Sequence, residues 1–254
     1  MNNENKENRL FRKISKKIGQ TIREYKQISE NDRVLAGLSG GKDSLIMLES
    51  LADRKKAFPF NFELFVAHVI PENIGYSVDI DYLTDFCNEM GLKLILRKIQ
   101  PDIHKTDKNP CFVCSWNRRK ALFELTKELN CNKLAFGHHR DDALQTFLMN
   151  MIYHGSISSM PYNLKMFGGR VTLIRPMMDL WEKDLVELAG LRNFTPVEKA
   201  CPYEDTTRRN YTLEILNKLE KESPQAKRNM FHAMDNIYEE YLPKLKKRSN
   251  PDPG

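Results

Sequence analysis

Apolar residues recur along this chain at two periods. Leu10, Phe11, Ile14, Ile18, Ile22 and Tyr25 fall at helical spacing. They predict an amphipathic opening helix with its lysines and arginines on the other face. RVLAGL (33–38) is a short run of the buried-strand kind, followed by a glycine pair and then DSLIMLESLA, which reads as helix. The alternation continues. FELFVAHVI (62–70), KLILRKI (93–99), KLAFGHH (133–139, a strand with its exit) and RVTLIRPM (170–177) are predicted strands. VDIDYLTDFCNEMG (78–91), CSWNRRKALFELTKELN (114–130), DDALQTFLMNMIYHG (141–155) and WEKDLVELAGLRN (181–193) are predicted helices. Gly91 and Gly155 supply helix stops. Residues 206–241 read as helix with a break near Pro224, packed outside the sheet, and SNPDPG reads as a disordered end.

Strands alternating with helices predict an α/β fold, a parallel five-stranded sheet with helices on both faces. A basic N-terminal helix (1–30) precedes the main domain (31–204). A C-terminal helical extension (205–248) and a tail (249–254) follow it. Two longer loops, 100–113 and 194–205, each carry cysteine. Loops held on a rigid scaffold are where sites tend to lie.

Composition narrows the class. The 254 residues suit one large domain or one with a small annex, and 41% hydrophobic content suffices for a core without disulfide staples. Five cysteines, an odd number, favour reduced thiols and a cytoplasmic location. No apolar run approaches the roughly 20 residues of a membrane helix, so no membrane partner is expected. The net charge of +6 is uneven, because residues 1–30 hold eight Lys/Arg against four acids. With Lys244, Lys246, Lys247 and Arg248 near the end, this gives basic termini able to track phosphates, or simply solvated faces.

LSGGKDS (38–44) has the letters of a phosphate loop but not the spacing of G-x-x-x-x-G-K-[ST]. Ala36 stands where the first glycine belongs, and Asp43 separates Lys42 from Ser44. The physics still points to phosphate. Gly40 and Gly41 let backbone N–H groups approach an anion, and a helix N-terminus adds partial positive charge. Lys42 adds a full charge, and Ser39 and Ser44 add hydroxyl donors. Asp43 would repel a bare phosphate but suits a bridging Mg²⁺.

CFVC places Cys111 just before a helix and Cys114 at its start, with Arg118 and Arg119 a turn later. Both features favour thiolate. With Cys201 of ACPYED, three thiolates suit a cuboidal iron–sulfur cluster or a zinc site with a fourth ligand, and the CxxC alone suits a redox pair. Cys87 and Cys131 read as buried structural thiols.

Gly137, His138, His139, Arg140, Asp141 and Asp142 leave a strand and open a helix. This segment and SGGKDS both sit at carboxyl ends of strands, where open parallel sheets bind ligands. The two aspartates suit a helix start, or metal and substrate contact. Neighbours in a helix point about 100° apart, so one of them is expected to face the site. His138 and Asp142 are favoured, and which of His138, His139, Asp141 and Asp142 face the site is left open by the sequence. Arg175, at another strand end, faces phosphate or RNA, or is an ordinary surface arginine. Arg208 and Arg209 offer further phosphate contacts.

SGGKDS resembles the PP-loop of the ATP pyrophosphatase superfamily. That resemblance implies cleavage of ATP between its α and β phosphates and adenylation of a carbonyl or carboxylate. CFVCSWNRRKALFELTKELNCNKLAFGHHRDDALQTFLMN, GSISSMPYNLK, IRPMMDLWEKDL and ACPYE extend it through most of 33–204. Together they are similar to the tRNA 2-thiocytidine synthetase family. The resemblance implies an adenine nucleotide α-hydrolase-like sheet, with 31–204 as its PP-loop ATP-binding domain. It implies a [4Fe–4S] cluster on Cys111, Cys114 and Cys201 with one iron open to sulfur. The histidine–aspartate segment, including Gly137, His138 and Asp142, would line the ATP pocket. The implied partners are tRNA and a sulfur donor system such as a cysteine desulfurase, with homodimers known in the family. The chain departs from the pattern at its second CxxC, which reads Cys201-Pro202-Tyr203-Glu204. The three implied ligands remain; the missing thiol is a non-ligand in the family pattern.

On this reading Mg²⁺ and ATP sit at 39–44, and Lys42 and the backbone amides stabilise charge developing on the phosphates. Asp43 places the metal, the C2 oxygen of a cytidine attacks the α-phosphorus, and sulfide displaces AMP. Arg118, Arg119, Arg175, Arg208 and Arg209 are the expected RNA contacts. The competing readings are a cluster-free thiolase using cysteine persulfide, an ATP- and metal-binding regulatory module, and a small-molecule adenylating enzyme.

Overall fold

The β-branched and leucine-rich runs pair side by side because their side chains alternate between two apolar faces. In the computed structural model, which describes residues 3–74, 78–102, 110–194 and 208–243, β1 (Arg33–Gly37) is the central strand. It is flanked by β2 (Glu63–Pro71) and β4 (Lys133–Ala135), with β3 (Leu94–Ile99) beyond β2. β6 (Val171–Ile174) pairs with β4, and β5 (Asn163–Met166) closes that edge, giving the order β3-β2-β1-β4-β6-β5. All pairs are parallel except β5 with β6.

The sheet therefore has six strands, not the predicted five. The extra strand, β5, reads NLKM and exposes its first three residues. An edge strand of this kind needs no apolar alternation, so the hydrophobic pattern does not mark it. The predicted strand at 133–139 pairs only through Ala135; its remainder is the exit that carries the histidines.

Eight α-helices, α1 (Asn3–Glu24), α2 (Lys42–Ala57), α3 (Ile80–Glu89), α4 (Pro110–Glu128), α5 (Arg140–His154), α6 (Glu182–Leu191), α7 (Arg208–Glu222) and α8 (Ala226–Ala233), and two short 3-10 turns (Phe167–Gly169 and Glu239–Tyr241) complete the described elements. α4 begins at Pro110, four residues before the predicted start, so Cys111 lies inside the helix and not before it. Proline fits there because the first helical N–H has no partner to lose.

Val34 and Ala36 of β1 join one core layer with Ile14, Ile18, Leu45, Leu48, Leu83, Leu185 and Leu188 of α1, α2, α3 and α6. Leu35 joins the other with Leu122 and Leu125 of α4. Burying one such leucine contributes about 2 kcal/mol. The apolar face of α1 is inside this core, with Ile14, Ile18 and Ile22 at 0% exposure. Three of its lysines reach acids nearby: Lys6 to Glu187 (2.9 Å), Lys13 to Asp184 (3.2 Å) and Lys17 to Asp179 (3.8 Å). α7 and α8 pack on α5.

Asp179, its side chain largely covered, ties these layers together. It accepts hydrogen bonds from Thr21 Oγ1 (2.8 Å), Tyr162 Oη (2.9 Å) and the Arg140 guanidinium (3.1 Å). The Arg140 guanidinium also lies over the Trp181 and Phe231 rings, at 5.2 and 4.8 Å. Among the described residues, no helix is long and apolar enough to cross a membrane.

Chain order reverses between β1 and β4. At such a switch point the following loops splay to opposite sides and leave a crevice at the carboxyl ends of the strands. The two loops there are SGGKDS and GHHRDD.

Candidate functional site

The glycine pair shapes the first wall. Gly40 has φ +86°, a left-handed turn that glycine adopts without strain. Gly41 precedes α2 and has no side chain to cap it, so the helix N-terminus stays open to an anion. Ser44 braces the turn: its hydroxyl donates to the Gly41 carbonyl (2.9 Å) and accepts the Ser39 N–H (3.1 Å).

Lys42 Nζ lies 3.2 Å from Asp43 and 3.1 Å from Glu182, at the first position of α6. Burial acts to lower its pKa, but the two carboxylates outweigh it and raise it, so the ammonium is firmly charged. Burial raises the Asp43 pKa, with Lys42 and His139 opposing. Asp43 Oδ1 is buried without a hydrogen-bond partner.

The second wall presses against the first. A Cβ on Gly137 would stand 3.0 Å from the Asp43 carbonyl oxygen, tighter than nearly all such contacts, so any other residue would push the two loops apart by a few tenths of an ångström. His138 is held neutral, its pKa pulled down to about 4 by burial and by Arg175, Arg209 and Arg119, against the pull of Asp142. Its Nδ1 is buried without a hydrogen-bond partner. Asp142 stays ionised. Burial acts to raise its pKa, but His139, His138 and Arg209 lower it. It accepts from the Arg209 guanidinium (2.7 Å) and the His139 N–H (3.1 Å).

The neighbouring residues turn elsewhere. Asp141 accepts the Glu182 N–H (2.8 Å) and pairs with Lys227 (3.3 Å), which anchors α6 and α8. The buried His139 ring sits among carboxylates, 3.5 Å from Asp142, 3.8 Å from Asp141 and 4.0 Å from Asp43.

Between the walls is a cavity of about 430 Å³. Ser39, Asp43 and Ser44 line it from the first loop, and Gly137, His138 and Asp142 from the second. Arg118, Arg119, Arg175 and Arg209 complete it from α4, the end of β6 and α7. Four guanidinium groups around two aspartates suit a polyanion such as a polyphosphate. Arg175 is no surface residue. It is buried, and burial with Arg119 nearby draws its pKa down to about 10, which leaves it charged at neutral pH.

Lys42, Gly40 and Gly41 do not line this cavity. The Lys42 ammonium is directed to Glu182, a residue that sequence reasoning does not single out. Its signal is present, an acid opening a helix just after a strand exit, but the crossing of α6 onto the first loop is a tertiary fact.

Cys111 and Cys114 lie in the first two turns of α4, half-buried and three residues apart, a spacing that puts both on one helix face. The next residue, Ser115, lines the cavity, as do Arg118 and Arg119. Cys201, Glu204 and the side chain of Arg208 lie outside the described residues. Within those residues no three His, Cys, Asp or Glu side chains form a metal-binding set. The two thiols suit a soft metal that draws a further ligand from elsewhere. Asp43 suits Mg²⁺, which is commonly held by one or two carboxylates plus substrate phosphates. Cys87 and Cys131 are buried, and burial pushes both thiols up to about 11, which keeps them protonated and inert.

Residues 10–219 match the PP-loop domain family. The tRNA-cytidine(32) 2-sulfurtransferase of Pelobacter propionicus is 32% identical over 240 residues, covering 92% of this chain and 88% of that protein. The protein of the same name from Aliivibrio fischeri is 33% identical over 241 residues, covering 92% and 78%. Among solved structures, the U34-tRNA thiolase NcsA from Methanococcus maripaludis, determined with its [4Fe–4S] cluster, superposes with a TM-score of 0.74. It is 28% identical, and the match covers 95% of this chain and 82% of that one.

Proposed function

The chain belongs to the tRNA 2-thiocytidine synthetase family of PP-loop proteins, and from that membership we propose that it is an ATP-dependent tRNA sulfurtransferase replacing the C2 oxygen of a cytidine with sulfur. One observation supports this above the others. Segments far apart in sequence line a single cavity at the sheet's switch point, and α4 sets Cys111 and Cys114 within a turn of it.

ATP binds with its phosphates over the N-terminus of α2, where the backbone N–H groups of 39–44 and the open helix end attract them. The partnerless Asp43 Oδ1 is the acceptor left for Mg²⁺. Lys42, fixed by Glu182, holds the Asp43 carboxylate in place from the other side. Arg118, Arg119, Arg175 and Arg209 balance phosphate charge and orient the RNA, with Arg208 beside them in sequence.

The C2 oxygen attacks the α-phosphorus; a new P–O bond forms, the α–β bridge breaks, and pyrophosphate leaves with the electron pair. A sulfur nucleophile then adds to C2, and AMP departs with the former carbonyl oxygen. Neutral His138 offers a hydrogen-bonding nitrogen without adding charge. Cys111, Cys114 and Cys201 would hold the [4Fe–4S] cluster, which when bound supplies an open iron to carry sulfur. A donor such as a cysteine desulfurase supplies that sulfur.

The test is anaerobic incubation of reconstituted protein with ATP, Mg²⁺, sulfide and tRNA, followed by nucleoside mass analysis. Formation of 2-thiocytidine and AMP, both dependent on tRNA, is expected. Absence of both rejects the sulfurtransferase reading. Formation of 2-thiouridine instead rejects the cytidine assignment, and thiolation by iron-free protein rejects the cluster.

A further inference from the structure

A second, larger cavity of about 920 Å³ lies beside the first, between α4 and the β5–β6 hairpin. Its character differs. Trp116, Phe123 and Phe167 give it aromatic faces, while Lys120, Lys127 and Arg170 ring it with cations. Glu124 is the single acid in its lining. Trp116 and Phe167 are each 52% exposed, and they share one groove with the cations. Lys120 Nζ stands 5.8 Å from the Trp116 ring, and Phe167 meets Phe123 edge to face at 5.1 Å.

The hairpin tip is built to present its ring. Phe167 has φ +53°, followed by Gly168 at +68° and Gly169 at +88°. The left-handed region costs a bulky residue energy that glycine avoids, and such strain collects where a side chain must be aimed. Arg170 braces the turn by donating from Nε to the Phe167 carbonyl (3.2 Å).

The two cavities adjoin at one residue. Arg119 lines both. On β6, Val171 lines the second cavity while Leu173 lines the first, with Arg175 just beyond. From Arg119 to Lys127 the groove follows α4 for two turns, about 12 Å.

We propose that this groove docks a single-stranded stretch of the substrate RNA, stacking bases on Trp116 and Phe167 and pairing phosphates with Lys120, Lys127 and Arg170, so that the adjoining nucleotide passes Arg119 into the catalytic cavity. It rests on the sulfurtransferase reading, and names a docking surface that reading leaves open. Aromatic faces interleaved with cations are the chemistry of single-strand binding, where rings take bases of any sequence and cations follow the backbone. An apolar protein partner would not call for this ring of cations.

The test compares full-length protein with the variants K120E/K127E and F167G, using transcribed tRNA. Both lysines are exposed, so the charge reversal spares the core. F167G removes the ring and its contact with Phe123 but relieves the backbone strain, so the two effects on stability oppose one another while binding falls. Each variant is expected to weaken tRNA binding at least tenfold and to raise the KM for tRNA. ATP binding measured without tRNA is expected to stay unchanged. The salt dependence of binding should also flatten, by roughly 0.7 in log–log slope for each phosphate left without its cation. Wild-type protein that binds tRNA, with variants that bind it within twofold, overturns the groove alone. A wild-type dimer that these variants turn into monomers also overturns it, since the groove is then an interface between copies. Wild-type protein that binds no tRNA overturns the sulfurtransferase reading itself.

Discussion

Gly137 rests against the backbone of Asp43, so closely that an added Cβ would lie 3.0 Å from the carbonyl oxygen and 3.1 Å from the carbonyl carbon. The two loops of the site are thus in direct main-chain contact across the switch point. Gly137→Ala must part them by several tenths of an ångström. Because both sides of the contact are backbone, the shift moves Asp43 as well. ATP binding is expected to weaken on the order of tenfold with little change in melting temperature, measurable by calorimetric titration. Unchanged affinity would mean the loops give without consequence.

Asp43→Asn keeps the size of the side chain and removes the charge that would hold Mg²⁺. AMP formation dependent on tRNA is expected to fall on the order of 100-fold, with iron content unchanged. Cys111→Ala is expected to do the reverse, losing iron while retaining ATP binding. Parallel loss of iron and nucleotide in both variants would show that the two halves of the site do not separate.

His138 makes folding depend on pH. Its folded pKa, about 4, is below the ordinary 6.5, so below pH 6.5 the unfolded chain binds more protons than the folded one. The stability tied to the neutral ring is fully present above about 6.5 and is lost as pH falls through 4. His138→Asn removes this dependence. The stability of wild type relative to the variant, from urea melts, should rise between pH 4 and 6.5 and level off above. A constant difference would place the ring in solvent.

Asp179→Ala removes the acceptor shared by Thr21, Tyr162 and Arg140. Leaving a largely buried guanidinium without its carboxylate costs about 3 kcal/mol or more. The melting temperature should drop by roughly 10 °C. Because Arg140 is next to His139 and Asp141 in the chain, ATP affinity should fall too. A melt within 2 °C of wild type, on this scale, would mean water replaces the carboxylate.

The parts of the fold legible in the sequence are those whose signal is local and periodic. β1, β2 and β3 declare themselves as apolar runs, and α5 ends where Gly155 permits a left-handed turn, φ +58°. Spacing also shows that Asp141 and Asp142 point apart; the structure adds that Asp142 lines the cavity while Asp141 anchors α6. β5 is not legible, since an exposed edge strand carries no apolar alternation. The start of α4 is hidden because a proline such as Pro110 suits a loop as well as a first helical position. The partnership of Lys42 with Glu182, 140 residues apart, has no signature in either segment alone.

α4 runs unbroken for 19 residues. The same rigid rod carries Cys111 and Cys114 in its first two turns, Ser115, Arg118 and Arg119 at the catalytic cavity, and Trp116, Phe123 and Lys127 along the groove. It is a ruler, graduated at about 1.5 Å and 100° per residue. Distances among these α4 residues are set by helical phase. Inserting one alanine after Arg119 would leave every group intact and rotate Phe123 and Lys127 about a quarter turn out of register with the cysteines.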